Sequence, residues 1–219
     1  MKIKKTIHVL NGQVMYNHFK KTQFLEQELM VPFNEAMCFG ETSSNLFSEE
    51  FIDIRSKVHQ VTTTQYNEIT LKPLKPFFTG KFTHINLWFD ADMFCQINLL
   101  TVLAWLDRVK YQGDVQFHLV DDRFEVLNHF NLEVEGYYDL YKNVLIDKEM
   151  PRHIEPPTLE KGIELYLNYL NQDSILIKFI KEHQHVQEKE LVSLLLNNFK
   201  EYGLGDLQYK KMIETTRNK

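Results

Sequence analysis

Short apolar runs that suit β-strands alternate, over the first half of the chain, with segments whose apolar positions follow helical spacing. The run Thr6–Leu10 is rich in β-branched residues and ends at the turn-forming pair Asn11-Gly12. The apolar positions after this pair have helical spacing and are Val14, Met15, Tyr16 and Phe19. We therefore predict a strand, a tight turn and a helix. The Asn-Gly pair is also typical of a two-residue hairpin, although no alternating apolar strand follows it.

Residues 29–33 form a second apolar run, in which Pro32 indicates an edge strand or the end of a strand. Residues 41–48 are rich in Ser, Thr, Asn and Glu, and residues 71–76 contain two prolines, so both segments are typical of surface loops. A helix between them is indicated by three apolar positions at helical spacing, Phe51, Ile54 and Val58.

The central part of the chain has the clearest pattern. Residues 84–89 read as a strand, Asp90-Ala91-Asp92 as an acidic turn, and the apolar residues 93–106 as a buried helix. After Gly113, residues 115–120 are predicted to form another strand. Asp121 and Asp122 are then expected to open a further helix, with apolar positions Val126, Leu127 and Phe130.

Three strand-turn-helix units of this kind predict an α/β fold, a Rossmann-like and mostly parallel sheet flanked by helices. From Pro151 onward the pattern indicates helices alone. Thr158 and Asp173 are the expected N-caps of two of them, and Gly203 and Gly205 precede a last short helix from Asp206. We predict an α/β domain over residues 1–150 and an all-helical C-terminal extension over residues 151–219.

Composition narrows the classes of function. The chain of 219 residues is 43% hydrophobic and has a formal charge of −5, so it lacks the net positive charge that attracts a phosphate backbone, and nucleic acid is not the partner we expect. Residues 151–219 contain ten Lys/Arg and ten Asp/Glu, and DNA binding by the helical part is therefore not expected. The partner we expect is a small molecule or another protein, and the oligomeric state is open.

The chain lacks the apolar stretch that a membrane span needs, and its basic start leads into an apolar run too short for a signal peptide. Cys38 and Cys95 are the only cysteines, which indicates a reducing compartment rather than a disulfide framework. We therefore expect a cytoplasmic protein.

Three segments of the chain resemble the bacterial family known as domain of unknown function 1835. They are residues 7–12 with residues 34–40 downstream, residues 87–100, and the closing motif at residues 203–209. The sequence departs from the family pattern at Gln13, where aspartate commonly follows the glycine, and at Ala91, where histidine is frequent. The resemblance implies an α/β fold with an uncharacterised activity, and some relatives carry an automated label of transcriptional regulator.

Several acids follow predicted strands and would meet at one edge of a parallel sheet. These are Glu35, Asp90, Asp92, Asp121 and Asp122. Converging carboxylates are the ligands that Mg²⁺ and Mn²⁺ prefer, and Asp90, Asp92 and Asp121 are our candidate metal ligands. The alternative is helix capping, in which Asp92 caps the helix that follows and Asp122 forms a capping box with Glu125.

Other polar residues near the same edge suggest catalysis or binding. Cys95 lies in the first turn of the buried helix, where a helix dipole can lower a thiol pKa, although a buried inert thiol is the commoner outcome. Gln96 and Asn98 are unusual in so apolar a helix, and either bind a ligand or hold a neighbouring loop. Asn11 and Gly12 offer backbone N–H groups to an anion.

The sequence therefore predicts a small-ligand-binding or catalytic α/β domain with an acidic site at the carboxyl ends of the strands. Its candidate catalytic residues are Asp90, Asp92, Cys95 and Glu35. Its candidate ligand-binding residues are Asn11, Gly12, Gln96 and Asn98. Hydrolysis or transfer on a phosphorylated small molecule, assisted by Mg²⁺ or Mn²⁺, suits such a site. The alternative is a non-enzymatic regulatory or protein-interaction protein whose C-terminal helices bind a partner.

Overall fold

A five-stranded sheet with the order β2-β1-β3-β4-β5 organises the molecule. The computed structural model describes residues 5–218, so part of the basic N-terminus and the last residue lie outside the described residues. The strands are β1 (Thr6–Leu10), β2 (Leu29–Pro32), β3 (His84–Asp90), β4 (Asp114–Val120) and β5 (Val126–Leu132). Strands β1 to β4 are parallel and β5 is antiparallel to β4, which confirms a mostly parallel sheet.

Helices cover both faces of the sheet and form the C-terminal part. They are α1 (Gly12–Thr22), α2 (Glu49–Val58), α3 (Thr63–Tyr66), α4 (Lys72–Thr79), α5 (Met93–Arg108), α6 (Tyr137–Tyr141), α7 (Pro157–Leu170), α8 (Ile175–Glu182), α9 (Glu188–Asn198) and α10 (Asp206–Arg217). Two π-helical turns, Asn67–Leu71 and Lys142–Ile146, and a 3₁₀ turn, Lys200–Tyr202, complete them. No helix among residues 5–218 is both long and apolar enough to cross a membrane.

The two faces of the sheet carry cores of very different size. Alternate residues of the strands, such as Ile7, Leu87 and Phe117, point into a large core that also contains most of α5. The opposite face is covered by α1, whose Met15 and Phe19 pack on a smaller cluster of apolar residues, Leu10, Trp88 and Val120. Helix α1 is amphipathic because one of its sides packs on the sheet, and α5 is apolar because most of it lies in the large core.

The C-terminal helices share the large core with the sheet. Helix α7 packs along α5, and Gly162 permits their close approach, because a Cβ atom there would lie 2.4 Å from Cβ of Gln96. Leu176 of α8, Leu191 of α9 and Ile213 of α10 belong to the same core cluster. The all-helical extension is therefore confirmed as a set of helices packed against the α/β part. The boundary at residue 150 stays a prediction.

The helix predicted after Asp121 and Asp122 is wrong, because residues 126–132 form the edge strand β5. The Asp121 carboxylate accepts the backbone N–H groups of Arg123, at 2.9 Å, and Glu125, at 2.8 Å, and closes a turn between β4 and β5. Phe130 then stacks on Phe117 of β4, with ring centroids 5.6 Å apart. The capping box proposed for Asp122 and Glu125 does not form, since no helix begins there.

Three further expectations need correction. Residues 71–76 are helical rather than a loop, because they continue a helical run that begins at Thr63. Pro73 has no N–H to donate to Ile69 O, but this carbonyl accepts from Asn34 Nδ2 at 2.9 Å instead, and burial of Leu74 and Phe77 stabilises α4 around Pro76. The N-cap of α7 is Pro156 and not Thr158. The N-cap of α8 is Ser174 and not Asp173, since the Ser174 hydroxyl accepts the N–H of Ile177. Pro32 ends the edge strand β2, as predicted.

Candidate functional site

The carboxyl ends of β1 and β3 lie side by side near the centre of the sheet. After β1 the chain crosses to β2 on one side of β1, and β3 lies on the other side of β1. This is the position at which open α/β sheets bind ligands. We call the edge at which β1 to β4 end the carboxyl edge. Asn11-Gly12 follows β1, residues 33–40 follow β2, and Asp90 ends β3, with Ala91 and Asp92 after it.

Asn11 links the end of β1 to helix α5. Its backbone N–H donates to Trp88 O at 3.0 Å, its Nδ2 donates to Cys95 Sγ at 2.7 Å, and its Oδ1 accepts from Asn98 Nδ2 at 3.0 Å. Gly12 has φ of +87°, and a Cβ atom there would have no neighbour within 4 Å. The first turn of α1 therefore begins in a left-handed residue that faces open space.

Asn98 is fully buried and holds the loop that follows β2. Its Nδ2 donates to Glu35 O at 2.8 Å as well as to Asn11, and its Oδ1 accepts the N–H of Met37 at 3.0 Å. The sequence left open whether this amide binds a ligand or holds a loop. Its hydrogen bonds in the structure all go to protein groups, so Asn98 joins β1, the β2 loop and α5 into one unit.

Asp90 and Asp92 occupy the end of β3 and the start of α5. Asp92 is the N-cap of α5, as the capping alternative predicted, and its Oδ1 accepts the N–H of Cys95 at 2.7 Å. Asp90 Oδ1 accepts the N–H of Ala91 at 2.5 Å and lies 3.4 Å from the backbone nitrogen of Asp92. Both carboxyl groups are half-buried, and no Lys or Arg among the described residues forms an ion pair with either.

The surroundings of this acid pair favour protonation. Burial raises the pKa of Asp92 to about 6; the hydrogen bonds from Cys95 oppose this, and the charge of Asp90 adds to it. Burial also raises the pKa of Asp90, and the charges of Asp122 and Asp121 act in the same direction. The pKa of Asp92 therefore lies near 6, well above its ordinary value of 3.8.

Gly203, from the closing motif, lies directly against the Asp92 carboxyl group. A Cβ atom at Gly203 would lie 2.3 Å from Asp92 Cγ, and the glycine has φ of +62°, a left-handed conformation. The C-terminal extension thus covers one side of Asp92. This contact places Gly203 beside Asp92 at the carboxyl edge.

Cys95 and Cys38 are buried free thiols. Burial and the nearby charge of Asp92 raise the pKa of Cys95 well above its usual value, and burial also raises the pKa of Cys38 to about 12. These effects outweigh the helix dipole that would favour a thiolate. Neither thiol is activated as a nucleophile in this structure.

Gln96 lies one residue further along α5 and is fully buried. Its Nε2 donates to Asp90 O at 2.5 Å, so this amide ties the end of β3 to the helix. Its Oε1 has no hydrogen-bond partner among residues 5–218.

Glu35 belongs to a separate, internally paired cluster. Its carboxylate accepts from Arg55 Nε at 3.0 Å, from Arg55 Nη2 at 2.7 Å and from the Tyr66 hydroxyl at 2.7 Å, and His59 Nε2 lies 3.0 Å away. Burial alone would raise the pKa of Glu35, but the hydrogen bond with His59 and the charge of Arg55 lower it to about 2. Glu35 is thus a buried, ionised structural acid.

The donors for a metal site do not converge. Among residues 5–218 there is no group of three or more His, Cys, Asp or Glu side chains that could hold a metal ion. Asp90, Asp92 and Asp121 each direct an oxygen to backbone N–H groups instead. The residues present therefore do not fit the Mg²⁺ or Mn²⁺ site expected from the sequence.

Sequence reasoning missed Arg55 and Gly203. The predicted stripe of α2 was Phe51, Ile54 and Val58, whereas Phe51 and Arg55 are fully buried and Ile54 and Val58 are half-buried. The spacing of four residues between Phe51 and Arg55 is the signal that could have identified this arginine as inward-facing. The sequence marks Gly203 only as a helix stop and as the start of the closing motif, because its contact with Asp92 is tertiary.

No protein-family model, no curated protein and no solved structure matches this chain.

Proposed function

We propose that the chain binds a small molecule at the carboxyl edge, with Asp92 as a proton donor or acceptor toward that molecule. The observation that carries the proposal is the raised pKa of Asp92, about 6, at the edge between β1 and β3. Half-buried acids that titrate near neutral pH are concentrated at functional sites. A structural N-cap needs no such shift.

The neighbouring start of α1 suits the binding of an anion. Asn11 makes no side-chain cap, the first turn of α1 contains no acidic residue, and Gly12 faces open space. The N–H groups of this turn can therefore receive a phosphate or carboxylate group. We infer a phosphorylated small molecule as the ligand class, with hydrolysis or group transfer as the reaction, and no step of this proposal uses a metal ion.

The order of the strands supports the Rossmann-like expectation, since it creates a switch between β1 and β3 at which such sheets bind ligands. Two free thiols fit the reducing cytoplasm that the sequence predicts.

The test is a binding screen by thermal shift with phosphorylated sugars, nucleotides and inorganic phosphate, each with and without millimolar Mg²⁺ or Mn²⁺. A ligand at a hundredfold excess over its Kd stabilises the folded protein by about 2.7 kcal/mol. We expect a hit whose stabilisation depends on pH near 6 and is lost in Asp92→Asn. The matched control is Asp114→Asn, because Asp114 begins β4 at the opposite edge of the sheet. A hit that survives in Asp92→Asn, or the absence of any hit, would contradict the proposal.

A protein-interaction role is the second candidate, and exposed aliphatic side chains on the C-terminal helices favour it. Ile175 of α8 is 55% exposed, and Leu207 of α10 is 75% exposed. Exposed apolar side chains of this size on neighbouring helices can contact a partner. In that case Leu207→Glu should abolish partner binding in a crosslinking assay, and Asp92→Asn should leave it unchanged.

A further inference from the structure

A cavity lies between the C-terminal helices and the loop that follows β2, away from the start of α1. It has a volume of about 450 Å³, which is within the range of small-molecule sites. Its walls come from the end of α7 and the residues after it, from α8, from α10, and from Phe39. None of the candidate residues of the carboxyl edge lines it.

The apolar part of the lining is aromatic and adaptable. Phe39 and Tyr169 present rings, and Leu170, Ile177 and Met212 supply aliphatic or thioether surface. Rings can stack on a flat ligand, and methionine adjusts to irregular shapes. This surface suits a ligand with an apolar body.

Two lysines give the cavity a positive rim. Lys181 of α8 and Lys211 of α10 both line it, and Lys211 Nζ lies 4.8 Å from the centroid of the Phe39 ring. Within residues 5–218 neither lysine forms a salt bridge, in contrast to Lys57, Lys72, Lys142 and Lys161. Asp173 is the one acidic residue in the lining, so the rim keeps a net positive charge.

We propose that this cavity binds a small amphipathic anion, an apolar body that carries one carboxylate or phosphate group. The body packs between Phe39, Tyr169 and Met212, and the anionic group pairs with Lys181 and Lys211. The positive rim, whose two lysines form no salt bridge within residues 5–218, selects an anion over a neutral molecule of the same shape. This site is independent of the acid pair at the carboxyl edge.

Calorimetric titration of the full chain with matched probes tests the proposal. The probes are 2-naphthoate, 2-naphthyl phosphate and decanoate as amphipathic anions, 2-naphthol as the neutral analogue of the naphthyl probes, and inorganic phosphate as the anion alone. We expect saturable binding of at least one amphipathic anion and at least tenfold weaker binding of 2-naphthol and of inorganic phosphate. The methyl resonance of Met212, assigned with Met212→Leu, should shift on binding.

Variants locate the site. The double variant Lys181→Gln/Lys211→Gln should weaken anion binding at least tenfold, and Thr215→Trp should abolish it by filling the cavity from an exposed position on α10. Lys210→Gln is the matched control, because Lys210 neighbours Lys211 but does not line the cavity. Circular dichroism and melting temperature establish that each variant is folded. The proposal is overturned if no amphipathic anion binds, if 2-naphthol or phosphate binds equally well, or if the double lysine variant binds like the wild type.

Discussion

Two groups of acids lie at the carboxyl ends of strands that flank β1, and their electrostatics are opposite. Glu35 follows β2 and is ionised, because Arg55 is buried with it. Asp90 ends β3 and Asp92 follows it, and burial favours their neutral forms because no arginine or lysine among residues 5–218 forms an ion pair with either. The pKa of Glu35 is lowered to about 2 and that of Asp92 is raised to about 6.

The difference shows that burial alone does not determine the role of an acid at a strand end. Glu35 is more deeply buried than Asp92, yet it has the lower pKa, since its bidentate arginine, the Tyr66 hydroxyl and His59 all interact with its carboxylate. A buried acid with such partners fixes a loop. An acid without a cation remains able to exchange a proton, which is the property that a ligand site can use.

The largest effect is expected from breaking the Glu35 cluster. Arg55→Met leaves Glu35 buried without its cation and should reduce the free energy of unfolding by about 3–5 kcal/mol. Urea unfolding at pH 7 measures this change. Lys57→Met on the same helix is the control, because the Lys57–Asp53 pair is exposed and contributes little. Equal effects of the two variants would show that the buried Glu35–Arg55 pair stabilises the fold no more than the exposed Lys57–Asp53 pair does.

The contact of Gly203 with Asp92 gives the next largest effect. Gly12→Ala and Gly203→Ala both place a side chain at a left-handed residue, at a cost of about 1–2 kcal/mol each. Only Gly203 also meets a neighbour, the Asp92 carboxyl group, so Gly203→Ala should cost about 2–4 kcal/mol in total.

A double variant isolates that contact. In Asp92→Ala/Gly203→Ala the added methyl group has no carboxylate to meet, so the double variant should be more stable than the sum of the two single effects predicts. Urea unfolding of the four proteins of this cycle measures the coupling. Strictly additive effects would mean that a side chain at position 203 does not contact the carboxyl group of Asp92.

Much of the fold could be predicted because it depends on local patterns. Strands β1, β3 and β4 carry apolar runs that turn signals interrupt, and Asp92 begins α5 with the expected cap. The sequence predicts a helix in place of β5, because Val126, Leu127 and Phe130 also fit helical spacing over so short a segment. These residues form a strand because they pair antiparallel with β4. The spacing of apolar residues within one segment does not reveal such a pairing.

The positions of the acids at the carboxyl edge could be predicted from the sequence, and their protonation could not. The sequence placed Glu35, Asp90 and Asp92 at one edge, and the structure does bring them there. Nothing in the sequence distinguished Glu35 from the two aspartates, since the distinction depends on Arg55, which is 20 residues away from Glu35 along the chain. Roles that depend on the pKa of a side chain require knowledge of its tertiary partners.

The dependence of stability on pH should have opposite signs in the two groups. Because the pKa of Glu35 is lowered, its ionisation stabilises the fold at pH values above the ordinary pKa of 4.5. This contribution is lost as the pH falls through about 2. Because the pKa of Asp92 is raised, its protonated form stabilises the fold at pH values below the ordinary pKa of 3.8. This contribution is lost as the pH rises through about 6.

The variant Asp92→Asn isolates the second contribution, since asparagine keeps the cap of α5 but does not titrate. Between pH 5 and pH 7.5 the wild type should lose about 1–1.5 kcal/mol of stability relative to Asp92→Asn. Urea unfolding of both proteins at the two pH values measures the difference. A constant difference would mean that Asp92 titrates outside this range and would remove its role as a proton donor or acceptor.

The smallest effect is expected from Asp90→Asn, and it tests why Asp92 has a raised pKa. Burial is the main cause of that shift, and the negative charge of Asp90 is the lesser one. Removing this charge should therefore lower the pKa of Asp92 only slightly and leave it well above its ordinary value of 3.8. Carbon-13 NMR titration of the aspartate carboxyl groups in wild type and Asp90→Asn measures the pKa directly. If the pKa of Asp92 returned to its ordinary value, repulsion between the two acids would be the cause, and the contrast with Glu35 would depend on a neighbouring charge rather than on burial without a cation.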